Sequence, residues 1–151
     1  MRRADDALDV LDVRSGYVRR LTLDPNEKPA VVQGRFRFNP ETLAWGNDAL
    51  SRAVPCHLLV VDELGPLEFE RGEGWQAAFD VLSGRDFTLA LVVVRPELIV
   101  QAQIRLPAGA TTVFNVTVEN ADTEHPRDDL PQVIVEMLDR ELDPTSRARR
   151  S

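Results

Sequence analysis

The sequence predicts an α/β fold, and three observations carry that expectation. Two apolar runs, His57 to Val61 and Phe87 to Val94, are continuous rather than alternating, as strands buried on both faces are. A third run, Thr111 to Thr117, follows them, and amphipathic helical patterns separate the three. Strands alternating with helices imply parallel pairing with helices laid over the sheet faces.

In chain order, Leu8 to Val13 and Tyr17 to Leu23 flank Ser15-Gly16 and read as a β-hairpin, a small antiparallel annex to the main sheet. Asp24-Pro25-Asn26 is a loop, and Gly34-Arg35-Phe36-Arg37-Phe38 alternates as a short half-buried strand. Asn39-Pro40-Glu41 then starts a helix: a capping side chain, a proline in the first turn and a carboxylate favoured by the helix dipole. Leu43, Ala49, Leu50 and Ala53 form its inward face, and it ends before Pro55. A second helix is expected around 73–83, with Trp75, Ala78, Phe79 and Leu82 on one face. Arg95-Pro96 opens a third, carrying Leu98, Ile99 and Ala102. Residues 121–129 form a polar loop before an amphipathic helix over 130–142 (Leu130, Val133, Ile134, Met137, Leu138). Residues 1–142 read as a single domain, and 143–151 as a basic, solvated tail.

Composition narrows the classes. The 151 residues are 43% apolar and 28% charged, which fits a folded domain and not a disordered chain. No run is long enough to span a bilayer, and the charged start, Met1-Arg2-Arg3-Ala4-Asp5-Asp6, is not a secretory signal. The single Cys56 excludes an internal disulfide and fits a reducing cytoplasm, so neither membrane association nor export is expected. Net charge is −7, unevenly spread: residues 1–60 carry +1 and residues 61–142 carry −10. That acidic second part argues against a broad nucleic-acid surface. Trp45 and Trp75 accordingly read as helix-face anchors and not as a base-stacking platform, since no basic groove accompanies them in the sequence.

The chemistry concentrates in Leu58-Leu59-Val60-Val61-Asp62-Glu63 and the following Leu64-Gly65-Pro66-Leu67-Glu68. A buried strand delivers two carboxylates at its carboxyl end, the end that lines the ligand crevice of open α/β sheets. Adjacent carboxylates repel unless a cation accompanies them, so a divalent ion is a natural companion. In a P-loop nucleotidase such a strand is the Walker B element. The plainer alternative is a strand ending in a solvated acidic turn, and Glu68, Glu70 and Glu73 read as its solvated continuation. His57 and His125 have no convergent Cys or His partners and do not read as zinc ligands. Gly72 and Gly74 read as a flexible lead into the second helix.

Val60 to Glu68 closely resembles the signature of the small P-loop nucleoside-triphosphatases of the thermophile and cancer-related type. Gly34 to Pro40 and Val113 to Asn120 are similar to two further segments of that family, in the same order, so the resemblance covers roughly residues 8–142. It implies a three-layer, RecA-like sheet and Mg²⁺-dependent hydrolysis of ATP or GTP. By the same resemblance Asp62 is the Mg²⁺-associated carboxylate and Glu63 the water-activating one, with Arg95 a γ-phosphate sensor and Asn120 near the base. Ala121 departs from the family, which carries Arg there.

A larger departure concerns the phosphate loop. Gly-x-x-x-x-Gly-Lys-Ser/Thr cradles phosphates with backbone N–H groups and brings a lysine to the β/γ oxygens. The only lysine, Lys28, lies in Pro-Asn-Glu-Lys-Pro-Ala with no glycine within five residues. The chain therefore reads as a family member without its opening strand, phosphate loop and helix. In the family that strand is central, between the equivalents of 87–94 and 111–117. Those two strands are expected either to close the gap or to leave an apolar edge for a partner chain or a second copy. Alone, the chain is expected to turn over nucleotide weakly or not at all. The alternative expectation is a non-catalytic, nucleotide-sensing or interaction module.

Overall fold

The computed structural model describes residues 7–107, 111–114 and 130–143. Its centre is a parallel pair of strands, β5 (Cys56–Leu64) and β6 (Phe87–Val94), running in register from Cys56 opposite Phe87 to Leu64 opposite Val94. Ahead of it lie two antiparallel hairpins, β1 (Asp9–Asp12) with β2 (Tyr17–Arg20) and β3 (Val31–Gln33) with β4 (Phe36–Phe38). The helices are α1 (Pro40–Ser51), the short α2 (Pro66–Phe69), α3 (Ala77–Gly84), α4 (Ile99–Arg105, entered through a 3₁₀ turn at Pro96–Leu98) and α5 (Leu130–Leu142). The fold is thus mixed α/β with small sheets, a parallel pair plus antiparallel hairpins.

Local chemistry accounts for the start of α1. Asn39 takes an extended conformation, and its side-chain oxygen accepts the Glu41 N–H at 2.9 Å, with Pro40 at the first helical position. The front hairpins are tied together rather than left apart. Leu23 N–H donates to Arg37 C=O at 2.7 Å, and Asn39 N–H to Leu21 C=O at 2.8 Å. The buried Thr42 hydroxyl donates to Arg20 C=O at 2.9 Å, which anchors β2 on α1.

The core forms where one face of β5 meets α3. Leu59, Val61 and Leu64 pack with Ala78, Phe79, Val81 and Leu82, and Leu50 of α1 and Ala53, which lies beyond the helix end at Ser51 and not on its face as expected, close the side. The alternation on β5 is sharper than the apolar run suggests. Leu59 and Val61 are 2% and 3% exposed, but their neighbours Leu58 and Val60 are 37% and 40% exposed. Helices therefore bury one face of β5; α5 lies against β6, and Leu58, Val60 and Val93 remain accessible.

Three expectations change. Residues 111–114 belong to no strand, and the rest of the expected run to Thr117 lies outside the described residues, as does the loop 121–129. Among the described residues β6 pairs with β5 alone. Val31 to Gln33, for which no element is expected, is a strand, and Gly34 (φ +55°) and Arg35, expected within the following strand, form a two-residue hairpin loop, with glycine at the first central position where a positive φ is needed. Finally, α3 starts at Ala77, because residues 72–76 are held in a fixed turn described below.

Candidate functional site

β5 carries its carboxylates at the carboxyl end of the parallel pair, and the strand is irregular there. The pairing register shifts between Val61 and Leu64, and the Asp62–Glu63 peptide bond is cis. Asp62 is exposed and has no hydrogen-bond or ion-pair partner among the described residues. Glu63 is half-buried, and its Oε1 accepts a hydrogen bond from Arg95 Nε at 2.5 Å. Arg95 directly follows β6, so the pairing register brings together two side chains 32 positions apart.

Electrostatically, Arg95 is the cation that answers Glu63, while Asp62 is left without one among the described residues. Its guanidinium pKa is pushed upward, first by the hydrogen bond to Glu63 and then by that carboxylate's charge, with Glu97 and Glu68 adding smaller contributions. Among the described residues no group of three or more His, Cys, Asp and Glu side chains converges as a metal site. Asp62 stands beside the pair as an exposed carboxylate without a partner among the described residues. Of the residues singled out in the sequence, Asp62, Glu63 and Arg95 come together, and Asn120 lies outside the described residues. His57 is exposed at the opposite end of β5, His125 lies outside the described residues, and Lys28 is exposed ahead of β3.

Glu68 is the main correction. Expected as part of a solvated loop, it is 5% exposed. Its Oε2 accepts the Gly65 N–H at 2.8 Å, where α2 begins, and its Oε1 accepts the Trp75 N–H at 2.9 Å. A single carboxylate thus satisfies two backbone donors and closes the loop after β5 onto the start of α3. Gly74 is correspondingly not a flexible lead-in: it sits at φ +71°, and a Cβ there would lie 1.9 Å from Glu68 Oε1.

Two further side chains complete this scaffold. Asn47 of α1 donates to Gly74 C=O at 2.7 Å and accepts the Ala77 N–H at 2.8 Å, capping α3 from a neighbouring helix. Arg105 of α4 donates to Glu68 C=O at 2.9 Å, and its guanidinium lies 3.7 Å from the Phe79 ring centre. Trp75 packs as an anchor but from the turn before α3 and not from a helix face as expected; its ring lies against Gly46, where a Cβ would approach to 2.1 Å. The sequence signal for Glu68 was its place three residues after Gly65-Pro66, the spacing of an N-terminal capping carboxylate.

Comparison with family models, curated proteins and solved structures finds no match to this chain. No described helix is long and apolar enough to cross a membrane.

Proposed function

We propose that the chain carries the carboxylate part of a Mg²⁺-dependent nucleoside-triphosphatase centre on a RecA-like sheet, and that a phosphate-gripping element from a partner chain or second copy completes it. The observation that carries this reading is the meeting of Glu63 and Arg95, beside Asp62, at the carboxyl ends of two parallel strands, where open α/β sheets bind ligands. The resemblance of Val60 to Glu68 to a nucleoside-triphosphatase signature supports it from the sequence. In this reading Asp62 holds Mg²⁺, Glu63 orients the attacking water, Arg95 meets the γ-phosphate and Asn120 approaches the base. Mg²⁺ supplies neutralisation of the phosphate charge. Among the described residues β6 pairs with β5 alone and Val93 is exposed, which leaves a partner a place to pair. The reading needs neither a membrane nor a nucleic acid, and it fits a cytoplasmic setting.

The sequence holds no Gly-x-x-x-x-Gly-Lys, so the chain alone is expected to bind Mg²⁺-nucleotide weakly and release little phosphate. Phosphate release from Mg²⁺-ATP and Mg²⁺-GTP, with wild type and Glu63→Gln in parallel, tests this. Turnover by the wild type that Glu63→Gln leaves unchanged overturns the role of Glu63. Turnover that Glu63→Gln abolishes supports the centre but removes the need for a partner. The engagement of Glu63 by Arg95 favours one second reading, a non-catalytic nucleotide-sensing module. Mg²⁺-dependent nucleotide binding without phosphate release, under every pairing tried, is its signature.

A further inference from the structure

A groove of about 490 Å³ runs between the β1–β2 hairpin and α1, remote in sequence from Asp62 and Glu63. It is lined by Tyr17, Arg19 and Trp45, by the small Ala49 of α1 and Ala53 just beyond the helix, and by Arg52. The Tyr17 and Trp45 rings are 6.2 Å apart and tilted by 54°. Tyr17 is 60% exposed, so its ring is offered to solvent and not spent on the core.

Arg19 places its guanidinium 4.9 Å from the Trp45 ring centre and 5.9 Å from that of Tyr17. Neither Arg19 nor Arg52 donates a hydrogen bond or ion pair from its side chain to any described residue. Both keep their N–H donors for an anion. Arg14 adds positive charge while fixed in place: it donates to Arg52 C=O at 2.6 Å and to Pro55 C=O at 3.4 Å. Among the described residues the groove's one lining carboxylate is Asp12, which accepts within its own hairpin from Ser15 Oγ at 2.7 Å and Arg14 N–H at 3.0 Å. The basic surroundings that the sequence did not reveal beside Trp45 are therefore assembled by the fold.

We propose that this groove binds single-stranded nucleic acid, with bases stacked on Tyr17, Trp45 and the Arg19 guanidinium plane and phosphates held by Arg19 and Arg52. Flat rings and guanidinium planes are the surfaces on which unpaired bases stack, and unpaired arginines beside them supply the phosphate contacts. A duplex hides its base faces. An acidic peptide would use the arginines but not the rings. The strong negative charge of residues 61–142 confines the contact to a short stretch of strand, a few nucleotides, on this one face.

The test is fluorescence anisotropy of the full chain titrated against a labelled oligothymidylate of about eight nucleotides, within the site size of small single-strand binders. The chain's tryptophan emission is followed in the same titration. Binding with tryptophan quenching is expected. Tyr17→Ala and Trp45→Leu are each expected to weaken it by roughly tenfold or more. Trp45→Phe, which keeps a ring, retains most of the affinity. Arg52→Gln is expected to weaken binding and flatten the slope of log K against log salt by about 0.7, the loss of one phosphate contact on a single strand. Tyr17 and Arg52 are surface residues, so these two variants keep the test decisive even if Trp45→Leu unfolds. No binding, equal binding of a duplex or of polyglutamate, equal binding of thymidine monophosphate, or wild-type affinity in Tyr17→Ala and Arg52→Gln would each overturn the proposal.

Discussion

Arg95 Nε donates to Glu63 Oε1 at 2.5 Å across the carboxyl ends of β5 and β6, joining the residue that follows one strand to the penultimate residue of the other. Both side chains remain substantially exposed, at 50% and 40%. The pair therefore organises charge at the strand ends more than it stabilises the fold. Exposed ion pairs contribute between nothing and about 1 kcal/mol, and salt screens them. A double-mutant cycle with Arg95→Ala and Glu63→Gln, read by urea unfolding, is expected to give a coupling below about 1 kcal/mol that shrinks in high salt. A coupling of several kcal/mol would mean that the pair is a structural clamp.

Glu68 behaves oppositely, because its carboxylate is buried and accepts two backbone N–H groups. Hydrogen bonds to a charged group contribute about 1.5–3 kcal/mol each, and Glu68→Ala orphans both donors. The expected loss is about 3 kcal/mol or more in denaturant unfolding. Glu68→Gln keeps one acceptor oxygen but turns an NH₂ towards the second N–H, so it should recover only part of that loss. A loss below about 0.5 kcal/mol in Glu68→Ala, typical of surface sites, would return this residue to the solvated role expected from the sequence.

Gly72 and Gly74 separate two effects that the sequence cannot distinguish. Both have positive φ, +65° and +71°, but nothing lies within 4 Å of a Cβ at Gly72, whereas one at Gly74 would overlap Glu68. Gly72→Ala is expected to carry only the backbone penalty of the left-handed region, about 1–2 kcal/mol. Gly74→Ala adds displacement of the Glu68 carboxylate from Trp75 N–H, so its cost exceeds that of Gly72→Ala by about 1 kcal/mol or more. Thermal unfolding of the two variants side by side checks the order, and equal melting temperatures would refute it.

The elements that sequence reading anticipated are those whose signals are local. Asn39-Pro40-Glu41 announces α1 because a cap, a fixed φ and a dipole-favoured carboxylate act within one turn. Phe87 to Val94 announces a strand because its apolar run exceeds what a loop tolerates. What escaped depends on register between distant segments. Glu68 looks solvated because carboxylates usually are; its spacing from Gly65 marks the bond at the start of α2, but nothing in the sequence marks the second, to the Trp75 N–H. Arg95 could be placed after a strand, but its contact with Glu63 follows from parallel pairing. Trp45 seemed to lack basic company because Arg14, Arg19 and Arg52 are scattered along the chain and meet only when the hairpin folds onto α1. The single exposed face of β5, with Leu58 and Val60 accessible, was hidden by an unbroken run of apolar residues.

The turn that holds this hairpin is expected to respond to acid through Asp12. The Ser15 hydroxyl bond lowers the Asp12 pKa from the ordinary value of 3.8 against desolvation, the next largest influence, and the Arg14 and Ser15 backbone N–H groups and the Arg14 charge act in the lowering sense. A carboxylate with a depressed folded-state pKa contributes stability that is fully present above its unfolded pKa and is lost as pH falls through the folded one. The hairpin should therefore be unchanged from neutral pH down to about 5 and loosen only below about 4. The contribution is small because the group is solvent-accessible. Ser15→Ala removes the largest cause, so the Asp12 midpoint, followed by its carboxyl ¹³C shift, should rise towards 3.8. An unchanged midpoint in Ser15→Ala would show that the hydroxyl does not hold the carboxylate. Because the same bond holds the Asp12 carboxylate within its own turn, Ser15→Ala should also release that negative charge towards the groove and weaken oligothymidylate binding at neutral pH.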